Sequence, residues 1–251
     1  MADAYRFPSG SDLLAGHLAR PPRGSGTRPS VVICHGFPSG PGGGGAAAGT
    51  YPALADRIAN ELGWLALFFT FRGAGESQGQ FSLGGWLDDV CAAVDHMRSL
   101  DSVSGVWLVG FGTGGALCVC AASRDPQVRG VAALDAPADF DDWAGQPRRL
   151  LEHARAIDLV STATYPASVD SWARDLRTIR AVECVADLAP RPLLVVHGTE
   201  DDLVPDFDAR VVADAHGSAE LRIIAGAGHQ LRDDPRAVAV LLGWLDREAT
   251  A

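Results

Sequence analysis

Five short segments combine glycine with residues that can hold or move a proton. They are His35-Gly36-Phe37-Pro38, Arg72-Gly73-Ala74-Gly75-Glu76-Ser77, Gly110-Phe111-Gly112-Thr113-Gly114-Gly115, the run HGTEDDLVP from His197 to Pro205, and Gly226-Ala227-Gly228-His229. Imidazoles change charge near neutrality and act as general bases. Glycine turns let backbone N–H groups approach an anion. An arginine fork can grip a substrate carboxylate. Plainer roles stand beside these. Asp201 and Asp202 could form a solvated acidic turn that caps the following helix, and His229 could be an ordinary loop histidine. His35 is expected to orient its own turn, and Arg72 to tie loops together. His17, His96, His153 and His216 carry no assignment. No grouping of His, Cys and Asp has metal-ligand spacing, so neither a metal nor a cofactor is expected.

Composition removes several chemistries. All 21 basic residues among the 251 are arginine. Without lysine there is no Schiff-base nucleophile, no pyridoxal-phosphate anchor and no lysine-bearing phosphate loop. The net charge of −10 makes the chain a poor partner for nucleic acid or an anionic membrane. The five cysteines (Cys34, Cys91, Cys118, Cys120, Cys184) are odd in number and lack C-x-x-C spacing. They read as small core residues, not as a disulfide framework or zinc site. Residues 1–12 lack the apolar core of a signal peptide, and the longest uncharged apolar stretch, 62–71, is too short to span a bilayer. The expectation is a cytoplasmic protein that takes a small-molecule substrate or ligand. Its oligomeric state is not read from the sequence.

The elements that would hold these segments alternate regularly. Strands are predicted at 30–34 (SVVIC), 64–71 (WLALFFTF), 105–109, 128–134, 192–197 and 221–224. Helices are predicted at 51–62, 86–100, 113–123, 147–159, 168–179 and 235–244, and residues 5–20 read as an edge hairpin. Strand–helix alternation implies a parallel sheet covered on both faces, and ligands of such sheets bind at the carboxyl ends of the strands. All five segments follow strands. A single domain over 1–251 is expected, with two interruptions: a glycine-rich loop at 40–49 (GPGGGGAAAG) and an insertion at 139–189. The insertion is rich in aromatic residues, and insertions of this size often cover a site. Trp143, Tyr165 and Trp172 are therefore expected on the substrate-binding wall.

Taken in order, the segments resemble the α/β-hydrolase family along nearly the whole chain. HGFP resembles its oxyanion loop. FRGAGESQG resembles the F-R-G-x-G-x-S-x-G stretch of its small dienelactone-hydrolase-like and esterase-like members. The resemblance implies a mostly parallel sheet of about eight strands with helices on both faces. It implies carboxylic-ester hydrolysis, with the triad acid on Asp201 (GTEDDLVP) and the base on His229 (GAGH). The oxyanion donors would be the backbone N–H groups of Phe37 and Thr113. One position departs from the pattern. The nucleophile elbow G-x-S-x-G here reads Gly110-Phe111-Gly112-Thr113-Gly114. Gly112 cannot form an acyl-enzyme, Thr113 is displaced by one residue, and Cys34 belongs to a core strand.

Three functional readings follow. In the first, Asp201 and His229 activate a water where the serine oxygen would stand, giving little or altered hydrolase activity. In the second, the pocket binds a small molecule or partner without catalysis. In the third, Gly110-x-Gly112-x-x-Gly115 cradles a dinucleotide, with Asp135, 25 residues after Gly110, on the ribose. The third suits a motif on the first strand of a domain, whereas here several elements precede it.

Overall fold

The apolar runs SVVIC and LALFF become adjacent central strands because each is buried on both faces, as a sheet between two helical layers requires. The computed structural model describes residues 5–22, 26–39 and 42–249. Gly40 and Pro41 of the glycine-rich loop lie outside the described residues, as do residues 1–4 at the head of the chain.

In chain order the elements are β1 (Tyr5–Ser9), β2 (Asp12–Ala19), β3 (Arg28–Cys34), α1 (Tyr51–Leu62), β4 (Leu65–Phe69), α2 (Leu83–Arg98), β5 (Val103–Phe111), α3 (Thr113–Arg124) and β6 (Val128–Leu134). The insertion then contributes α4 (Asp141–Gly145), α5 (Pro147–Ala156), α6 (Val169–Trp172), α7 (Asp175–Thr178) and α8 (Ala181–Cys184). The chain closes with β7 (Leu193–Gly198), α9 (Asp206–His216), β8 (Glu220–Ile224) and α10 (Pro235–Glu248).

The eight strands form one sheet in the order β1-β2-β4-β3-β5-β6-β7-β8. The β1–β2 hairpin and the β2–β4 pairing are antiparallel, and every other pairing is parallel. Helices α1 and α10 pack on one face, and α2, α3 and α9 on the other. The fold is therefore the mostly parallel, doubly covered sheet that the alternation predicts. From β3 the chain crosses to β4 on one side, then returns to β5 on the other. That reversal opens a crevice at the carboxyl ends of β3 and β5, where such sheets bind ligands.

Two boundaries differ from expectation for identifiable reasons. Helix α2 begins at Leu83, not at residue 86, because Ser82 caps it by accepting the Gly85 N–H at 3.0 Å. The Gly84-Gly85 pair obscures that start in the sequence. A Cβ on Gly85 would meet the Arg72 side chain at 2.8 Å, so close packing explains the glycine. The helix expected over 168–179 is two short ones, α6 and α7. Among the described residues no helix is long and apolar enough to cross a membrane.

Candidate active site

Strands β3 and β5 pair in register up to Cys34 and Gly110, so the loops that follow them meet. A Cβ on Gly36 would stand 3.0 Å from the Phe111 carbonyl oxygen. Gly112 then makes the strand-to-helix turn at φ 51°, ψ −126°, a conformation that side chains rarely adopt. Its N–H donates to Leu134 O at 2.8 Å, and its carbonyl accepts the Gly115 N–H at 2.9 Å as α3 begins. A Cβ built on Gly112 lies 3.6 Å from His229 Nε2 and 3.6 Å from Gly36 Cα, both ordinary contacts. The neighbouring glycines serve packing. A Cβ on Gly114 would collide with the Cys34 carbonyl at 2.7 Å, and one on Gly115 would meet Ala136 Cβ at 2.8 Å.

The loops after β7 and β8 supply the acid and the imidazole. His229 Nδ1 donates to Asp201 Oδ2 at 2.8 Å, which leaves Nε2 facing Gly112. Asp201 Oδ1 accepts the N–H groups of Leu203 and Val204, each at 2.9 Å. Its carboxylate is fully buried, while the His229 ring is partly exposed. Burial alone would push the Asp201 carboxyl up. Hydrogen bonds from His197, His229 and the two backbone N–H groups outweigh it and hold the group well below the usual carboxylate range. The solvated acidic turn is thus not what Asp201 makes.

His35 and Arg72 have structural partners. His35 Nδ1 donates to Gly36 O at 2.6 Å, and Nε2 accepts the Phe71 N–H at 3.1 Å. Burial pushes this imidazole down to about 4, so it is neutral and pins the turn before Phe37. Arg72 binds the buried Asp89 through Nε at 3.0 Å and Nη2 at 2.6 Å, tying its loop to α2.

Two cavities meet at Gly112 and His229. The larger, about 410 Å³, is walled by Phe37, Thr113, Phe140, Trp143, Leu150 and Val204, with Asp139, Asp142, His153 and Asp208 also on its lining. The smaller, about 230 Å³, lies between His35, Tyr51, Gln230, Arg232 and Gly43 to Gly49 of the glycine-rich loop. Trp143 packs on Phe37 with ring centroids 5.0 Å apart. Tyr165 and Trp172 line neither cavity, against expectation. Trp172 is buried against Phe81, and its Nε1 donates to the Phe81 carbonyl at 3.0 Å. Tyr165 packs on the core edge, and its carbonyl accepts from Arg155.

Asp135 and His197 join the neighbourhood without a clear signal in the sequence. Each of Asp135, His197 and Asp201 places a nitrogen or oxygen within 4.8 Å of the others. The dinucleotide reading fails here. Asp135 is 1% exposed and accepts the Leu231 N–H at 3.2 Å, so it cannot reach a ribose. Close packing explains Gly110 and Gly115, and the positive φ of the turn explains Gly112. Cys34, Cys118 and Cys120 are buried, whereas Cys184 is half-buried with its sulfur 3.3 Å from that of Cys120.

A sequence model of the alpha/beta hydrolase fold matches residues 29–168, more than half of the chain. The chain belongs to the α/β-hydrolase family. No curated protein sequence matches it. Solved structures of hydrolases share its fold over almost their full length. Est1E from Butyrivibrio proteoclasticus is 20% identical, with 99% of each chain covered and a TM-score of 0.74. The α/β hydrolase GrgF from Penicillium sp. sh18 is 19% identical, with 98% of each chain covered and a TM-score of 0.74. The Pyrococcus furiosus esterase Pf2001 is 18% identical, covering 97% of this chain and 91% of its own, with a TM-score of 0.70. In this α/β hydrolase, the position that faces the imidazole is Gly112.

Proposed function

We propose that this α/β hydrolase cleaves small carboxylic esters with water as the attacking group, assisted by the Asp201–His229 pair. The observation that carries the reading is the approach of His229 Nε2 to within 3.6 Å of where a Gly112 Cβ would stand, with Nδ1 held by Asp201. A water bound over Gly112 gives a proton to Nε2 as its oxygen attacks the ester carbonyl. Asp201 stabilises the imidazolium that forms. The backbone N–H groups of Phe37 and Thr113 receive the oxyanion. The tetrahedral intermediate then expels the alkoxide, which takes the proton from Nε2. The products are a carboxylic acid and an alcohol. No covalent enzyme intermediate arises, because Gly112 offers no nucleophile.

The 139–189 insertion acts as a partial lid in this reading. Its Asp139–His153 portion, with Trp143, walls the larger cavity. The rings of Phe37, Phe140 and Trp143 favour an aryl group, and a cavity of about 410 Å³ suits a small aryl ester. Est1E, similar in fold, has been solved with ferulic acid bound. The test is hydrolysis of acetyl and cinnamoyl phenol esters by the native chain. Turnover above buffer is expected, abolished in His229→Ala, with no burst and no acyl adduct in the intact mass. Absence of turnover, together with saturable binding of the free aryl acid, would favour the non-catalytic binding role for the same cavity.

A further inference from the structure

The five cysteines are not equivalent. Cys34 and Cys118 face each other in the core, out of reach of any solute. Cys91 is half-buried on α2, and burial and the nearby Asp88 raise its thiol. Cys120 and Cys184 form a pair of another kind. Cys120 lies on α3 and is 2% exposed, whereas Cys184, the last residue of α8, is half-buried. Their Sγ atoms are 3.3 Å apart. One sulfur can meet a solute, and the other can meet only its neighbour. That division suits an attacking thiolate beside a resolving thiol.

The protons divide in the same way. Its hydrogen bond with Cys120 lowers the Cys184 thiol to about 7, against burial, and Ser123 and the charge of Arg124 on α3 add to the effect. The same bond, with burial, holds Cys120 well above the usual thiol range. Near neutrality Cys184 is therefore partly thiolate, while Cys120 keeps its proton.

We propose that Cys120 and Cys184 are a peroxide-sensitive dithiol whose oxidation staples the insertion to α3. The Cys184 thiolate attacks one oxygen of hydrogen peroxide. A sulfur–oxygen bond forms as the O–O bond breaks, and the departing hydroxide recovers as water the proton that Cys184 had released. Cys120 Sγ then attacks the Cys184 sulfenic acid. The sulfur–sulfur bond forms as the sulfur–oxygen bond breaks, and the hydroxide leaves with the Cys120 proton as a second water. Two thiols are oxidised to one disulfide, and one peroxide is reduced to two waters.

The staple would join two parts that meet at the larger cavity. Helix α3 begins at Gly112, and the insertion supplies Phe140, Trp143 and Leu150. The insertion is otherwise held at its base by non-covalent ties. Val182 N–H donates to Ala138 O at 3.0 Å, and Arg180 Nη2 pairs with Asp139 at 3.0 Å. The sulfurs must close from 3.3 Å to about 2.0 Å. Cys184 ends a four-residue helix, so the short element can take up that shift while α3 stays in place.

The test treats the full-length chain with hydrogen peroxide and then blocks free thiols with N-ethylmaleimide under denaturing conditions. Peptide mapping should join the Cys120 and Cys184 peptides, and intact mass should show both maleimide adducts lost. Dithiothreitol should reverse both changes. Bridging should be about tenfold faster at pH 8 than at pH 6, as a thiolate midpoint near 7 requires. The Tm of the bridged chain should rise by roughly 4–16 °C. In Cys120→Ala, Cys184 should stop at the sulfenic acid and be trapped by dimedone. If that variant does not fold, the native-chain map decides. Cys184 driven to sulfinic acid with Cys120 still free, a bridge between two chains, or peroxide consumed first at Cys91 overturns the proposal. So does a chain that keeps all its thiols in peroxide that oxidises free cysteine. None of these outcomes bears on ester hydrolysis, which is read in a separate assay.

Discussion

In Gly112→Ser the new Cβ would stand 3.6 Å from His229 Nε2 and 3.6 Å from Gly36 Cα, so it meets no clash. Turning its C–O bond toward the ring brings Oγ into the roughly 2.6–3.2 Å reach that a general base needs. Removing the serine alone from a working triad costs about 10⁶-fold in kcat, or roughly 8 kcal/mol of barrier. Restoring it here should therefore raise hydrolysis of an activated phenol ester by several decades. The backbone opposes the change. At φ 51° a side chain is strained, at a cost of about 1–3 kcal/mol. For a chain of this size that corresponds to a Tm lower by roughly 2–12 °C. Stopped-flow release of the phenol should show a burst equal to the enzyme concentration, and intact mass should show the acyl adduct. Both should vanish in doubles with His229→Ala. A folded Gly112→Ser that binds the ester and shows neither rise nor burst would refute the reasoning, since the remaining groups would then not be aligned on one carbonyl.

In the Gly112→Ser background, Trp143→Ala should raise KM for a cinnamoyl ester roughly tenfold while barely touching an acetyl ester, as steady-state kinetics would record. His35 supplies a stability signature. Its folded value near 4 lies below the ordinary 6.5, so stability is full above pH 6.5 and falls by about 3 kcal/mol as pH drops from there to 4. Thermal melts should show that slope, and His35→Gln, less stable overall, should show less of it. Asp135 has the opposite sign. Its value raised from 3.8 to about 6 makes the native state lose about 3 kcal/mol as pH rises through that window. Asp135→Asn should therefore gain stability relative to the native chain at pH 8 but not at pH 4. Cys184, lowered to about 7 by its hydrogen bond with Cys120, should be alkylated first by limiting iodoacetamide at pH 7.5. Peptide mapping should find Cys91, whose thiol burial raises, modified later.

The sheet was legible because its strands are continuous apolar runs ended by glycine turns, and burial on both faces demands that composition. HGFP, GTEDDLVP and GAGH were legible for a related reason: each is a turn whose polar residue must sit just past a strand. The insertion was not. Aromatic content there cannot tell a ring that faces a cavity, as Trp143 does, from one that seals a core against Phe81, as Trp172 does. Asp135 and His197 were hidden differently. Asp135 directly follows β6 and His197 lies one residue before the end of β7, and only the parallel pairing of those strands brings them together. Asp135 sits at φ 51°, a left-handed position that nothing in VAALDAP announces.

The sheet order also fixes when the site can exist. The groups around Gly112 come from loops after β3, β5, β7 and β8, and the imidazole follows the last strand. On the ribosome, β3, β4, β5 and β6 can emerge and pair before His229 has been synthesised. Parallel pairings between distant segments are slow to form, so β8 docking on β7 is expected among the late events. A nascent or C-terminally clipped chain therefore carries the crevice without its base. The proposed hydrolysis would then report on completed folding, and fragments that retain the centre of the sheet would keep the Gly112 turn without the imidazole.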